Sequence, residues 1–111
     1  MSTLSERVLG APAGAYVDRE VDMAFAHDGT GVLTREALRE MGVEQLPHPE
    51  RLRLVFDHIV PANTGTTATL QAELRGYARA SGIDLSDAGG GICHQVMSEG
   101  VVRPGMVVVG A

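Results

Sequence analysis

Arg51-Leu52-Arg53-Leu54-Val55-Phe56, followed at once by Asp57-His58, is the stretch whose reading decides the fold class. It alternates at its start and is continuously apolar at its end, the pattern of a strand that dives into a sheet covered on both faces. Upstream, Val21-Asp22-Met23-Ala24-Phe25-Ala26 reads as an earlier strand and His27-Asp28-Gly29-Thr30-Gly31 as turn chemistry after it. Downstream, the spacing of Leu70, Leu74, Tyr77 and Ala78 predicts a helix over about 66–80, with Asn63-Thr64 as its cap and Ser81-Gly82 as its stop. Ile83-Asp84-Leu85 and the segment 92–97 are short strand candidates, and Met106-Val107-Val108-Val109 has the composition of a buried inner strand. Thr3 is placed to cap a first helix ending near Gly10, with Leu4, Val8 and Leu9 on one side. Thr34 is placed to cap another, running through Met41 to a stop at Gly42. Strands alternating with helices predict an α/β layered domain with a largely parallel sheet, and ligands of such sheets collect beyond the carboxyl ends of the strands.

Composition narrows the function. The chain has 111 residues, 44% of them hydrophobic, with a formal charge of −5 and nine basic residues, all arginine. That is room for one domain with one core. The arginines are spread along the chain and form no basic patch, so nucleic acid and anionic membrane are not expected partners. No signal-peptide layout opens the chain and no apolar run approaches a bilayer-spanning length, which makes the cytoplasm the expected compartment. A lone Cys93 cannot form an internal disulfide.

The polar residues at strand ends are the candidates for chemistry. In Asp57-His58 a carboxylate stands beside an imidazole, an arrangement that suits a histidine donating a proton; a loop pair capping the next segment reads equally well from the residues alone. His27-Asp28 is able to contact a substrate carboxylate, though Asp28-Gly29 is a common turn pair and the turn is the reading local sequence favours. Gly89-Gly90-Gly91-Ile92-Cys93-His94-Gln95-Val96 brings a cysteine and a histidine into an apolar segment. If it is a strand, Cys93 and His94 face opposite sides. Cys93 reads as a small buried residue, one Cys-His pair is a weak metal signal, and the glycines read as a flexible turn. His48, between two prolines, reads as an exposed loop residue.

The order His27-Asp28-Gly29-Thr30, then Asp57-His58, then Gly91-Ile92-Cys93-His94-Gln95-Val96 resembles the beginning of the large subunit of the aconitase superfamily, in its 3-isopropylmalate dehydratase and homoaconitase branch. The last motif is the specific one. The resemblance implies part of a three-layer α/β/α aconitase-type domain, dehydrating and rehydrating a hydroxy di- or tricarboxylic acid in leucine biosynthesis. Its implied cofactor is a [4Fe-4S] cluster whose open iron is a Lewis acid, and its implied partner is a small subunit carrying a swivelling domain. By the same resemblance His58 is the proton donor to the leaving hydroxyl, Asp57 its partner, His94 a second active-site histidine and His27 a substrate contact. Cys93 is not a cluster ligand, so no metal ligand is expected within the chain.

The family continues past Gly110-Ala111 into an Asp-Ser-His-Thr motif and, further on, its cluster cysteines. Residues 1–111 are therefore expected to be an N-terminal part of the catalytic domain, inactive alone and prone to self-association through the apolar strand at 106–109. Homoaconitase and a dimethylmalate-type dehydratase are the neighbouring alternatives. A non-catalytic α/β binding module, or a hydrolase holding one metal with His27, Asp57, His58 and His94, are the alternatives of other kinds.

Overall fold

Leu54 and Val55 are neighbours on one strand and so point to opposite faces of it, yet they are 2% and 0% exposed. Both faces of that strand are covered, as its apolar end predicts. In a computed structural model, which describes residues 1–110, the strand is β2 (Leu52–Val55). With β1 (Met23–His27), β3 (Asp84–Ser86) and β4 (Val108–Gly110) it forms a four-stranded sheet in the order β3-β2-β1-β4. Every pairing is parallel, with Ala26 opposite Leu54 and His27 opposite Val55. This is the α/β fold the alternation of elements predicts.

One face of the sheet carries the larger core. Ala26, Leu54 and Phe56 pack with Leu74, Ala78 and Ile83, beneath helices α2 (Thr30–Glu40) and α3 (Gly65–Ser81). The stripe that α3 buries is Gln71, Leu74 and Ala78, spaced three and four apart. Leu70, expected to belong to it, stays 38% exposed. Thr64 caps α3 by accepting from the Thr67 amide, and Gly82 ends it in the left-handed conformation at φ 73°. Gly31 lets α2 approach closely, since a Cβ there would lie 3.2 Å from Leu54 and 3.3 Å from Leu74.

The other face is covered by the segment expected to be a strand at 92–97. It is a helical turn, α4 (Cys93–Val96), running directly into a π-turn at Met97–Val101. Cys93 and Met97, one helical turn apart, are 1% and 2% exposed, so the buried side follows helical and not strand spacing. Phe25, on the face opposite Ala26, meets the His94 ring edge-on at 5.4 Å. Its ring also lies over Gly110, where a Cβ would sit 2.1 Å from it.

Three further expectations shift. Helix α2 begins at Thr30, a turn before Thr34, whose hydroxyl donates to the Thr30 carbonyl within the helix. The strand at 106–109 is placed at an edge, paired with β1 alone among the described residues; Val107 is 8% exposed but Val109 is 53%. Helix α1 (Leu4–Leu9) has the expected Thr3 cap, closed into a capping box with Glu6, but none of its residues is buried. Ala111 lies outside the described residues. Among those described, no helix is long and apolar enough to cross a membrane.

Candidate active site

Strands β1 and β2 run side by side in register, so the residues succeeding each strand emerge together at the carboxyl edge of the sheet. His27 closes β1, and Asp57-His58 comes after β2 and Phe56. The rings of His27 and His58 stack with centroids 3.5 Å apart and planes 12° from parallel.

Beneath them Asp28 has a side chain that is 1% exposed. One of its oxygens accepts from the His58 amide at 3.0 Å, the other from the Ile59 amide at 2.8 Å and from Gln71 Nε2 at 3.3 Å. Gln71 Nε2 also donates to the Ile59 carbonyl at 2.8 Å. A buried carboxylate thus fixes the backbone of the segment that carries His58. Burial pushes its pKa up, but the amides of His58 and Ile59 outweigh that and it lies below the usual aspartate value.

Asp57 is held from two sides. Its Oδ1 accepts from His58 Nδ1 at 2.5 Å, and its Oδ2 accepts from the Cys93 amide at 2.5 Å, at the first residue of α4. Its pKa too is raised by burial and more strongly lowered by the Cys93 amide and the His58 ring, which keeps it an acceptor. With Nδ1–H donated to Asp57, the Nε2 end of His58 is left for exchange with a ligand, on a side chain that is 49% exposed. His94 is exposed beside this constellation, with Nδ1 3.3 Å from Cys93 Sγ. The structure therefore brings His27, Asp57 and His58 into direct contact, and ties His94 to them through the Cys93 amide on Asp57.

His27 has a defined protonation state. Its Nδ1 accepts from the Gly29 amide at 3.0 Å and lies 3.4 Å from the Thr30 amide, so the ring is neutral with its proton on Nε2. Burial, then the neighbouring His58, lower its pKa from 6.5, against the pull of Asp28 and Asp57; His94 adds to the lowering. The neutral form is the one the fold uses. Its contribution to stability is complete above the unfolded value of 6.5 and is lost as pH falls from there through the lower folded value. A ¹⁵N NMR titration is expected to show His27 Nδ1 unprotonated at pH 6.5 and titrating below it; a midpoint at or above 6.5 would contradict the assignment.

One donor atom each from His27, Asp28 and His58 lies within 4.8 Å of the others. The arrangement is poorly suited to one ion. A metal sits in the plane of each imidazole that binds it, and two nearly parallel rings 3.5 Å apart do not share such a point. Both Asp28 oxygens are already accepting N–H groups. Cys93, the chain's one cysteine, is 1% exposed and its thiol is pushed up by burial and by Asp57, so it is a protonated core residue. The donor set of this chain does not fit an iron-sulfur cluster, which needs several thiolates. His48, paired with Glu50 at the surface, takes no part.

Asp28 as a buried anchor and Gln71 as its partner are not visible in the sequence. Asp28-Gly29 looks like any turn, and Gln71 adjoins the apolar positions of α3 without marking itself as buried.

No family model matches the chain. Curated relatives do. The chain is 49% identical over 94 residues, 83% of its length, to a probable methanogen homoaconitase large subunit of Methanosarcina mazei, of which this is 24%. It is 41% identical over 117 residues to 3-isopropylmalate dehydratase large subunit 2 of Methanopyrus kandleri, covering 99% of this chain and 29% of that one. The 3-isopropylmalate dehydratase large subunit of Thermococcus kodakarensis is 43% identical over 110 residues, 98% of this chain and 28% of its own. The chain thus spans 24–29% of the length of these relatives. Over most or nearly all of its residues this chain is similar to one part of the large subunits of 3-isopropylmalate dehydratases and homoaconitases.

Proposed function

We propose that the chain is the N-terminal part of the catalytic domain of a 3-isopropylmalate dehydratase-like large subunit, acting in leucine biosynthesis in the cytoplasm. The observation that carries this reading is the Asp57-His58 pair, ordered by the Cys93 amide on one side and buried Asp28 on the other, at the carboxyl edge of a parallel sheet. Dehydration of a hydroxy acid breaks a C–O bond with its electron pair leaving on oxygen, and that oxygen departs as water once it receives a proton. In this reading His58 gives this proton from Nε2, with Asp57 stabilising the resulting charge distribution through Nδ1–H. In the reverse direction the same atom takes the proton back. His27, stacked on His58 and carrying its proton on Nε2, is a donor to a substrate carboxylate, and His94 adds a further donor on the α4 side.

In this reading the base that removes the carbon-bound proton, the iron-sulfur cluster and the small subunit are supplied by the rest of the complete enzyme. Homoaconitase chemistry is the alternative within the family, and the relatives' names support both.

The test is a chimaera in which residues 1–110 replace the matching segment of the Thermococcus kodakarensis large subunit, assembled anaerobically with its small subunit. Formation of the conjugated unsaturated acid, monitored by ultraviolet absorbance, is expected. A folded, cluster-loaded chimaera without turnover would remove the assignment.

A further inference from the structure

Arg75, on α3, binds Asp87 through both arms of its guanidinium: Nε donates to Oδ2 at 2.7 Å and Nη2 to Oδ1 at 2.8 Å. The same guanidinium lies over the Phe56 ring, its Cζ 5.0 Å from the centroid. Phe56 is the residue before Asp57, and Asp87 follows β3 and opens the glycine loop that leads to α4. One side chain therefore touches both segments that meet at Asp57. Their backbones are joined there too, the Phe56 amide donating to the Ser86 carbonyl at 2.9 Å. Four residues earlier on the same helix, Gln71 donates to Asp28 and to the Ile59 carbonyl. Helix α3 thus holds the segment carrying His58 with one residue and the segment carrying Cys93 with another.

The loop from Asp87 to Cys93 fits closely, but its glycines give it no stiffness of their own. The Gly90 amide donates to the Asp87 carbonyl at 3.0 Å, and a Cβ on Gly90 would stand 3.0 Å from that same oxygen. Gly91, at φ 121°, turns the loop against Val96, whose Cγ2 is 3.1 Å from where a Cβ would be. Such a loop keeps its shape only between fixed ends. At one end the Cys93 amide is on Asp57; at the other, just past β3, the hold is Arg75 on Asp87. The two side chains of this pair are 35% and 47% exposed, and an ion pair so open to water adds little to folding stability. Its consequence is for position.

We propose that Arg75, paired with Asp87, is a positioning residue for the dehydration reaction, fixing the glycine loop so that the Cys93 amide stays on Asp57 and Asp57 stays on His58. The inference rests on the hydro-lyase reading and extends it to a pair that touches none of the reacting groups.

The experiment measures kcat and KM for the better substrate of 3-isopropylmalate and homocitrate, with urea unfolding beside them, in the complete cluster-loaded two-subunit enzyme. The variants are Arg75→Gln, Arg75→Lys, Asp87→Ala and Asp57→Ala, together with Arg75→Gln in the Asp57→Ala background. Arg75→Gln and Asp87→Ala are each expected to lower kcat about tenfold, with KM and the unfolding midpoint nearly unchanged. Arg75→Lys keeps the charge and one of the two contacts, and is expected to recover part of that loss. Where Asp57→Ala has already removed the acceptor of the Cys93 amide, Arg75→Gln is expected to lower the residual kcat no further.

An unchanged kcat in Arg75→Gln and Asp87→Ala would overturn the positioning role while leaving the hydro-lyase reading in place. A fall that repeats in full without Asp57, or that tracks a lowered unfolding midpoint, would equally overturn it. Absence of turnover of either acid by cluster-loaded wild type would remove the hydro-lyase reading and this inference together.

Discussion

The substitution His58→Ala in the complete enzyme is expected to lower kcat by about two to four orders of magnitude, the usual worth of a positioned general acid or base. KM should change little, because in the proposed role the group acts on the reacting hydroxyl and contributes little to binding the remainder of the substrate. Asp57→Asn is expected to act in the same direction by another route. The amide keeps the shape, but with its oxygen on the Cys93 amide it turns an N–H toward His58 Nδ1, which favours the wrong tautomer. Steady-state kinetics beside the visible absorption of the cluster separate these effects from assembly defects. Retained turnover in His58→Ala would take His58 off the list of proton donors.

The second large effect falls on stability. Asp28→Ala is expected to destabilise the fold by about 2–4 kcal/mol, because it strands the amides of His58 and Ile59 and the buried amide of Gln71. Each loses a charged acceptor, and the space left is closed over by α3. Gln71→Leu removes one donor and is expected to cost less, since Asp28 keeps both of its backbone partners. Urea unfolding monitored by far-ultraviolet circular dichroism measures both; a loss under about 1 kcal/mol for Asp28→Ala would mean that water replaces the carboxylate. Because Asp28 holds the segment carrying His58, the variant should also lose activity at temperatures where it remains folded.

The parts of this fold that are legible in the sequence are those with a local physical signature. Strand β2 announces itself because Leu54, Val55 and Phe56 are consecutively apolar, and only a strand buried on both faces needs that. Thr64 and Gly82 mark the ends of α3 by chemistry that acts within one turn. Segment 92–97 misleads because Cys93-His94-Gln95-Val96 is too short to distinguish a period of two from a helical turn. Its conformation is decided by tertiary contacts: Cys93 and Met97 share one buried side, and the Cys93 amide has Asp57 as its acceptor.

The site divides in the same way. Asp57-His58 stands out as adjacent complementary groups after a strand. Asp28 does not, since its role depends on a segment thirty residues downstream in the chain. His27 and His58 meet only because β1 and β2 pair in parallel register, a fact no local window contains. The family motif names these positions without their geometry, and the geometry supplies what the motif lacks: which atom of each residue is committed and which is left for a ligand.

The most direct test of the central claim is steady-state turnover of 3-isopropylmalate by the complete, cluster-loaded enzyme that contains this segment, with His58→Ala measured alongside. Wild type is expected to form the unsaturated acid, and the variant to lose nearly all of that activity with the cluster intact. Wild type without turnover, or a variant as fast as wild type, would contradict the claim.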